Sequence, residues 1–301
     1  MLNQAKTEDR SRRVDGIVVG VDGSPGALTA LRWALCEGSL RSLPVTVVHA
    51  GGPDAVSPPV GWTDDETSGY DTGAFLADLV QTAQTQGWAD GVDVRTAALE
   101  GRAAEALNQA ARGADQLVVG SRGAGGFSRL MLGSISDHAL HYSPATVTVV
   151  PAGFRVTGAG PVVVGVDGSP ASRAALAHAA REARARHTRL RVVRVRIPLR
   201  VDPGPGISAG SANPLGTIER ASHDLLRREI HTVLGEEGSR EVDAEVHMGR
   251  PAAALLAAAE DAALLVVGSR GSGSFTGLLL GSVSSQCVHH AGCPTTVVRE
   301  K

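Results

Sequence analysis

Lysine is nearly missing from this chain. Among 301 residues it occurs only as Lys6 and Lys301, so almost all positive charge is arginine. Chemistry that needs a lysine, such as Schiff-base formation or an ammonium gripping phosphate, has no residue to use between the two ends. Aromatic residues make up 3%, and seven of the nine lie before residue 150, so neither half has the stacking platform of a single-stranded nucleic-acid binder. The three cysteines, Cys36, Cys287 and Cys293, form no CxxC or metal-spaced set, and an odd number suits a reducing compartment; they read as packing residues. No apolar run approaches the ~18–20 residues that span a bilayer. The opening segment, MLNQAKTEDRSRRVDG, has no apolar core of the kind a secretory signal carries. A cytoplasmic protein with no membrane partner is expected. With Lys+Arg at 29 against Asp+Glu at 31, the formal net charge is −2, which supplies no basic field and argues against a nucleic-acid partner.

What is abundant is glycine, with 37 residues, and the chain repeats itself. GIVVGVDGSPGALTALRWA from Gly16 returns as PVVVGVDGSPASRAALAHA from Pro161, and QLVVGSRGAGGFSRLMLGSIS from Gln116 returns as LLVVGSRGSGSFTGLLLGSVS from Leu264. The offsets differ by about three residues, as expected for one domain written twice with a small loop change. The reading is a first domain over 14–151, a second over 161–301, and a Pro/Gly-bearing linker over 152–160.

Within each copy, short β-branched runs alternate with helical patterns. Strands are expected at Ile17–Val21, Val45–Ala50, Val92–Ala97, Leu117–Gly120 and Thr146–Val150, and again near Val162–Val166, Leu190–Val195, Val242–Val246, Leu264–Gly268 and Thr295–Arg299. Ser24-Pro25 reads as N-cap and first helical position, with Leu28, Leu31 and Leu35 on one face. Such buried strands separated by helices predict an α/β fold with a parallel sheet covered on both faces.

The main chemical signal is the loop after the fourth strand. The first copy has Gly120, Gly123 and, after nine residues, Gly133-Ser134; the second has Gly268, Gly271 and, again after nine, Gly281-Ser282. A glycine at a strand end lets a ribose or phosphate approach the backbone, and Gly-Ser opening a helix offers free N–H groups and the positive dipole end to an anion. Ser134 and Ser282 are expected to cap their helices while presenting a hydroxyl to phosphate. A single GxxG would read as an ordinary βα turn, whereas two copies of a three-part pattern in strand–loop–helix context point to a nucleotide. It is not a Walker A loop, which requires Gly-Lys-Ser/Thr.

The G-x2-G-x9-G-[ST] pattern, the GVDGS at each first strand and the Pro-Ala-Thr-Val or Pro-Thr-Thr-Val closing strand resemble the universal stress protein family, in its ATP-binding subclass, over both copies. The resemblance implies two doubly wound five-stranded parallel sheets with strand order 3-2-1-4-5. It also implies one ATP with Mg2+ in each half and a regulatory role in stress response. Asp22 and Asp167 match the aspartate beside adenine and ribose, next to Gly20 and Gly165 at the first-strand ends; an Asx-type bond in the Asp-Gly turn is a second role for them that does not exclude the first. Ala50 and Val195 match the position whose backbone reads the adenine edge. Gly120, Gly123, Gly133, Ser134 and Ile135, with Gly268, Gly271, Gly281, Ser282 and Val283, match ribose and phosphate contacts. Fifth strands pair between domains in this family, which implies a homodimer through fifth-strand edges or the same pairing inside one chain. A slow ATPase or autophosphorylating protein, and a binder of AMP or cyclic AMP, stay open as alternatives.

Other features are weaker. His138 and His141, and the pair His289-His290, have no convergent carboxylate or cysteine at ligand spacing and read as solvated or interfacial. Asp64, Asp65 and Glu66 sit in the long Gly51–Gly73 loop, whose counterpart Pro198–Gly216 carries only Asp202; they read as a solvated tip on loops placed to cover the pocket mouths. Arg122 and Arg270 are shared, but Arg129 faces Gly277, so the first site is expected to bind triphosphate more tightly. Titrating ATP into Gly133 and Gly281 variants separately tests this; a weaker surviving site in the Gly281 variant contradicts it.

Overall fold

The computed structural model describes residues 15–51, 71–123, 132–156, 159–197, 214–272 and 279–300. The first half runs β1 (Ile17–Gly20), α1 (Pro25–Arg41), β2 (Val45–Ala50), α2 (Thr72–Thr85), β3 (Val94–Leu99), α3 (Ala103–Ala110), β4 (Gln116–Gly120), α4 (Ser134–Tyr142) and β5 (Thr146–Val150). The second repeats it as β6 (Val162–Gly165), α5 (Pro170–Ala185), β7 (Leu190–Arg196), α6 (Pro214–Arg240), β8 (Val242–Met248), α7 (Pro251–Ala258), β9 (Leu264–Gly268), α8 (Ser282–His290) and β10 (Thr295–Val298). Strands β1, β4, β6 and β9 are almost wholly buried runs of Val, Leu and Ile, the pattern of a parallel sheet covered on both faces.

Helix α1 starts where Ser24 accepts a hydrogen bond from the Ala27 N–H at 3.2 Å, with Pro25 in the first turn, and α5 repeats this with Ser169 and Ser172 at 3.1 Å. Such a cap is worth about 1 kcal/mol. β3 begins two residues later than expected, because the Val92 N–H is held by the Ala89 carbonyl in a turn through Gly91, at φ +72°, and pairing begins only at Val94.

The strand order is β3-β2-β1-β4-β5-β10-β9-β6-β7-β8 in one ten-stranded sheet. Each half therefore has the expected order 3-2-1-4-5, parallel throughout, and the halves join by antiparallel pairing of β5 with β10. Of the two fifth-strand pairings expected, the one inside a single chain is present, and pairing of fifth-strand edges between two chains is corrected. Both fifth strands have neighbours on both sides within one chain, so neither leaves an open edge for a homodimer.

A buried polar spine crosses that seam. The Thr148 and Thr296 hydroxyls meet at 2.6 Å, the Gln116 amide donates to Thr148 at 2.6 Å, and Arg41 donates to Gln116 at 2.6 Å. Arg41 also reaches Glu182 of α5 at 3.5 Å, and Arg186 pairs with both Glu182 and Glu37 of α1. Glu37, Glu182 and Arg186 are all almost fully buried, and losing one partner of such a set costs about 3–5 kcal/mol.

Burial, joined by the nearby Glu182 carboxylate and opposed by Arg186 and Arg41, pushes the Glu37 carboxyl up to about 8. The folded state thus holds this proton more tightly than the unfolded chain. The stability it contributes is complete below the ordinary carboxylate value and is lost as pH rises through about 8. Thermal melts from about pH 6 to about pH 9 should show the wild type weakening toward alkali and Glu37→Gln weakening clearly less; parallel slopes would contradict this assignment.

Candidate functional site

The carboxyl ends of β1 and β4 in the first half, and of β6 and β9 in the second, bring the repeated motifs together. After β1, Asp22 accepts the Ser24 N–H at 3.0 Å through a turn at Gly23, whose φ of +79° demands glycine. After β6, Asp167 accepts the Ser169 N–H at 3.0 Å and, across the loop following β9, the Ser272 N–H at 2.6 Å. Burial acts to raise the Asp167 carboxyl, but bonds from Ser169, Ser272 and Ser172 outweigh it and hold it below the ordinary aspartate value. The turn role is therefore real, and it leaves an ionised carboxylate at the strand ends.

These aspartates press on the glycine loops. A Cβ at Gly123 would lie 2.4 Å from Asp22 Oδ2, and one at Gly271 2.6 Å from Asp167 Oδ2, so a side chain at either position would displace the aspartate carboxylate from its turn. Gly120 and Gly268 are constrained by the first turn of the neighbouring helix. Their Cβ atoms would meet the backbone of Gly26 and of Ala171 at 2.8 Å. Gly20 and Gly165 have a packing reason, since a Cβ there would lie 2.8 Å from Leu107 of α3 or Leu255 of α7.

Gly133 and Gly281 differ from all of these. Each is the N-cap of its helix, with φ of −77° and −76°, values open to any L-residue. Among the described residues a Cβ would find its nearest neighbour at 3.6 Å and 3.4 Å, ordinary contact distances. Among the described residues neither φ nor a close contact requires glycine here, although glycine is a favoured N-cap type, and both copies have it. The expectation that Ser134 and Ser282 cap these helices is corrected: they are the first helical residues, exposed, and the glycine N-caps make no side-chain cap bond. The N–H groups of the first turn, through Ile135 and Val283, consequently have no intrahelical partner.

Two serines that sequence reasoning passed over lock this arrangement. Ser136 Oγ donates to the Gly120 carbonyl at 2.6 Å, and Ser284 Oγ to the Gly268 carbonyl at 2.6 Å, while the Gly133 and Gly281 N–H groups bond to Ser121 and Ser269 at 2.8 Å and 2.7 Å. The signal was present as a repeated Gly-Ser-x-Ser. The helix start is thereby folded back onto its own strand end.

The halves diverge at the ends of β2 and β7, where Ala50 and Val195 lie partly buried. Beside Ala50, His49 Nδ1 is 2.8 Å from the Val21 carbonyl, and its ring meets Phe75 edge-on at 5.0 Å. Beside Val195, Arg194 donates to Glu229 of α6 at 3.1 Å. Burial, aided by Asp167, pushes the Glu229 carboxyl up against the pull of Arg194 and Arg173. Arg122 and Arg270 are exposed next to their loops. Arg129, Gly277, the acidic residues at 64–66, Asp202 and most of both long loops lie outside the described residues. Among the described residues no three His, Cys, Asp or Glu assemble as metal ligands, and no helix is long and apolar enough to cross a membrane. His138 instead meets Asn108, its Nδ1 at 3.0 Å from the amide nitrogen, and Cys287 and Cys293 are buried thiols pushed up to about 12 and about 11 chiefly by burial.

Fold and site together define a tandem doubly wound α/β protein in which, in each half, the N-terminus of the last helix is tied back to the carboxyl end of the fourth strand. The profile of the universal stress protein family matches residues 14–151 and again 159–299, and the chain belongs to that family, with two of its domains in tandem. A universal stress protein of Mycolicibacterium smegmatis is 35% identical, over 95% of this chain and 97% of its own length. One from Mycobacterium tuberculosis is 31% identical, over 95% of this chain and 96% of its own. The crystal structure of a universal stress protein from Archaeoglobus fulgidus shares the fold, with a TM-score of 0.63 at 20% identity over 95% of this chain and 98% of that one.

Replacing Ser136 or Ser284 by alanine leaves a strand-end carbonyl without its donor. Each change should lower stability by about 1–2 kcal/mol, read from urea denaturation midpoints; an unchanged midpoint would contradict the locking role.

Proposed function

We propose that each half binds an adenine nucleotide, ATP with Mg2+, and that the protein acts as a cytoplasmic regulator whose state follows nucleotide occupancy. The observation that carries this reading is the pair of N-cap glycines. Among the described residues, the other motif glycines answer to φ, backbone approach, leucine packing or aspartate contact, whereas a Cβ at Gly133 or Gly281 would meet nothing closer than 3.6 Å or 3.4 Å, and a glycine N-cap suits the approach of a ligand to the space over the helix N-terminus. A phosphate suits that space, since the first-turn N–H groups and the helix dipole both favour an anion. With lysine absent from the region, phosphate charge would be met by these amides, by Ser134 and Ser282, by Arg122 and Arg270, and by the metal.

The ionised Asp167 can accept ribose hydroxyls, and Asp22 stands in the same place in the first half. The backbone at Ala50 and Val195 is proposed to read the adenine edge. Magnesium bound with nucleotide takes most of its ligands from phosphate and water, which suits a site offering one carboxylate and one serine hydroxyl per half. When bound, it would neutralise charge on the phosphates. The proposed site residues otherwise stand as matched, with Gly20 and Gly165 contributing through the placement of the strand ends.

Nucleotide released on denaturing the purified protein and resolved by chromatography tests the reading. The wild type should release about two equivalents of ATP, and Gly133→Val and Gly281→Val, at positions whose φ is open to any L-residue, about one each. ADP and free phosphate accumulating over time would favour hydrolysis, and a wild type that neither releases nor rebinds an adenine compound would contradict the proposal.

A further inference from the structure

The two sites differ in a residue that lies outside every glycine motif. The Ser269 N–H donates to the Val298 carbonyl at 2.7 Å, so Arg270 and Arg299 leave the carboxyl ends of β9 and β10 side by side. The Cα of Arg270 would lie 3.5 Å from a Cβ on Gly281, which puts this residue at the rim of the α8 N-terminus. Arg299 is partly buried, and its Nη2 donates to the Leu140 carbonyl in the last turn of α4 at 2.6 Å. Neither arginine has a carboxylate at ion-pair distance among the described residues. Burial first, and then the charge of Arg270, disfavour the charged form of Arg299. Two neighbouring cations with no carboxylate partner among the described residues, beside a helix N-terminus, are relieved by an anion of more than one charge.

In the first half the same backbone bond, from Ser121 to Val150 at 2.8 Å, sets Arg122 beside Pro151, which has no charge. The pair therefore belongs to the second half alone. The loop comparison of Arg129 with Gly277 does not register it, because the extra cation comes from a strand end.

We propose that Arg299, acting with Arg270, makes the second site select nucleotides by phosphate number, favouring a polyphosphate over a monophosphate. This rests on the reading that the second half holds a nucleotide on the N-terminus of α8. A ligand with its ribose at Asp167 and its first phosphate on the helix amides has its terminal phosphates left for the arginine pair. The guanidinium has five N–H donors, so it can hold Leu140 and a phosphate together. Because α4 begins at the cradle of the first half and ends on Arg299, one side chain links the two sites.

Calorimetric titration of the full-length Gly133→Val protein, in which the first site is closed, with ATP and with AMP separates the possibilities. Adding Arg299→Ala should weaken ATP about tenfold and leave AMP within about twofold, the loss of one charge-assisted contact. Arg299→Gln, which keeps a donor for Leu140, should show the same fall in the ATP-to-AMP ratio, and Arg299→Lys should restore part of it. An unchanged ratio in Arg299→Ala and Arg299→Gln, whether or not the melting temperature drops, overturns the inference and leaves the nucleotide reading standing. If the Gly133→Val protein retains its fold by circular dichroism and binds neither ligand, the second-site reading falls and the inference falls with it.

Discussion

The antiparallel bonding of β5 to β10 is the constraint from which the rest of the architecture follows. A doubly wound half ending at its fifth strand would expose a row of unpaired N–H and C=O groups, and here each half covers the other's. The pairing brings Thr148 opposite Thr296 inside the sheet, where both hydroxyls need partners, and the spine through Gln116, Arg41, Glu182, Arg186 and Glu37 satisfies them while pinning α1 to α5. Because strands are parallel within each half and antiparallel across the seam, the carboxyl ends of the two halves point in opposite directions. The two glycine cradles thus open at opposite ends of one sheet, each next to the carboxyl end of the other half's last helix.

Glycine, the residue in excess, divides according to physical cause. Gly23 and Gly168 supply positive φ, Gly120 and Gly268 admit a helix backbone, and Gly123 and Gly271 admit a carboxylate. Gly20 and Gly165 admit a leucine. Among the described glycines of the repeated motifs, only the N-cap pair answers to none of these, so the proposed function leans most on two positions per chain.

Much of this was legible in the sequence because it is local or repeated. Strand runs, the Ser-Pro helix starts at 24–25 and 169–170, and the duplicated loops are visible within a few residues of each other, and duplication itself doubles their signal. The late start of β3 comes from a local turn at Gly91, whereas the other misreadings come from contacts between segments apart in sequence. Ser134 looked like a cap because Ser is a favoured N-cap type, but the fold-back of Gly133 onto Ser121 advances the helix start by one residue and passes the locking role to Ser136. The Glu37–Arg186 contact joins residues 149 apart, and the Arg299–Leu140 bond residues 159 apart, so no window of sequence contains either. Of the two fifth-strand pairings that the resemblance implied, the presence of both halves in one chain selects the internal one.

The claim that each half receives phosphate on an open helix N-terminus is tested most directly by amide hydrogen exchange with and without ATP and magnesium. Amides from Gly133 to Ser136 and from Gly281 to Ser284 should slow on addition of nucleotide, with those of β5 and β10 strongly protected in both conditions. Unchanged exchange at both helix starts, under conditions where the protein remains folded and ATP is saturating, would contradict the account.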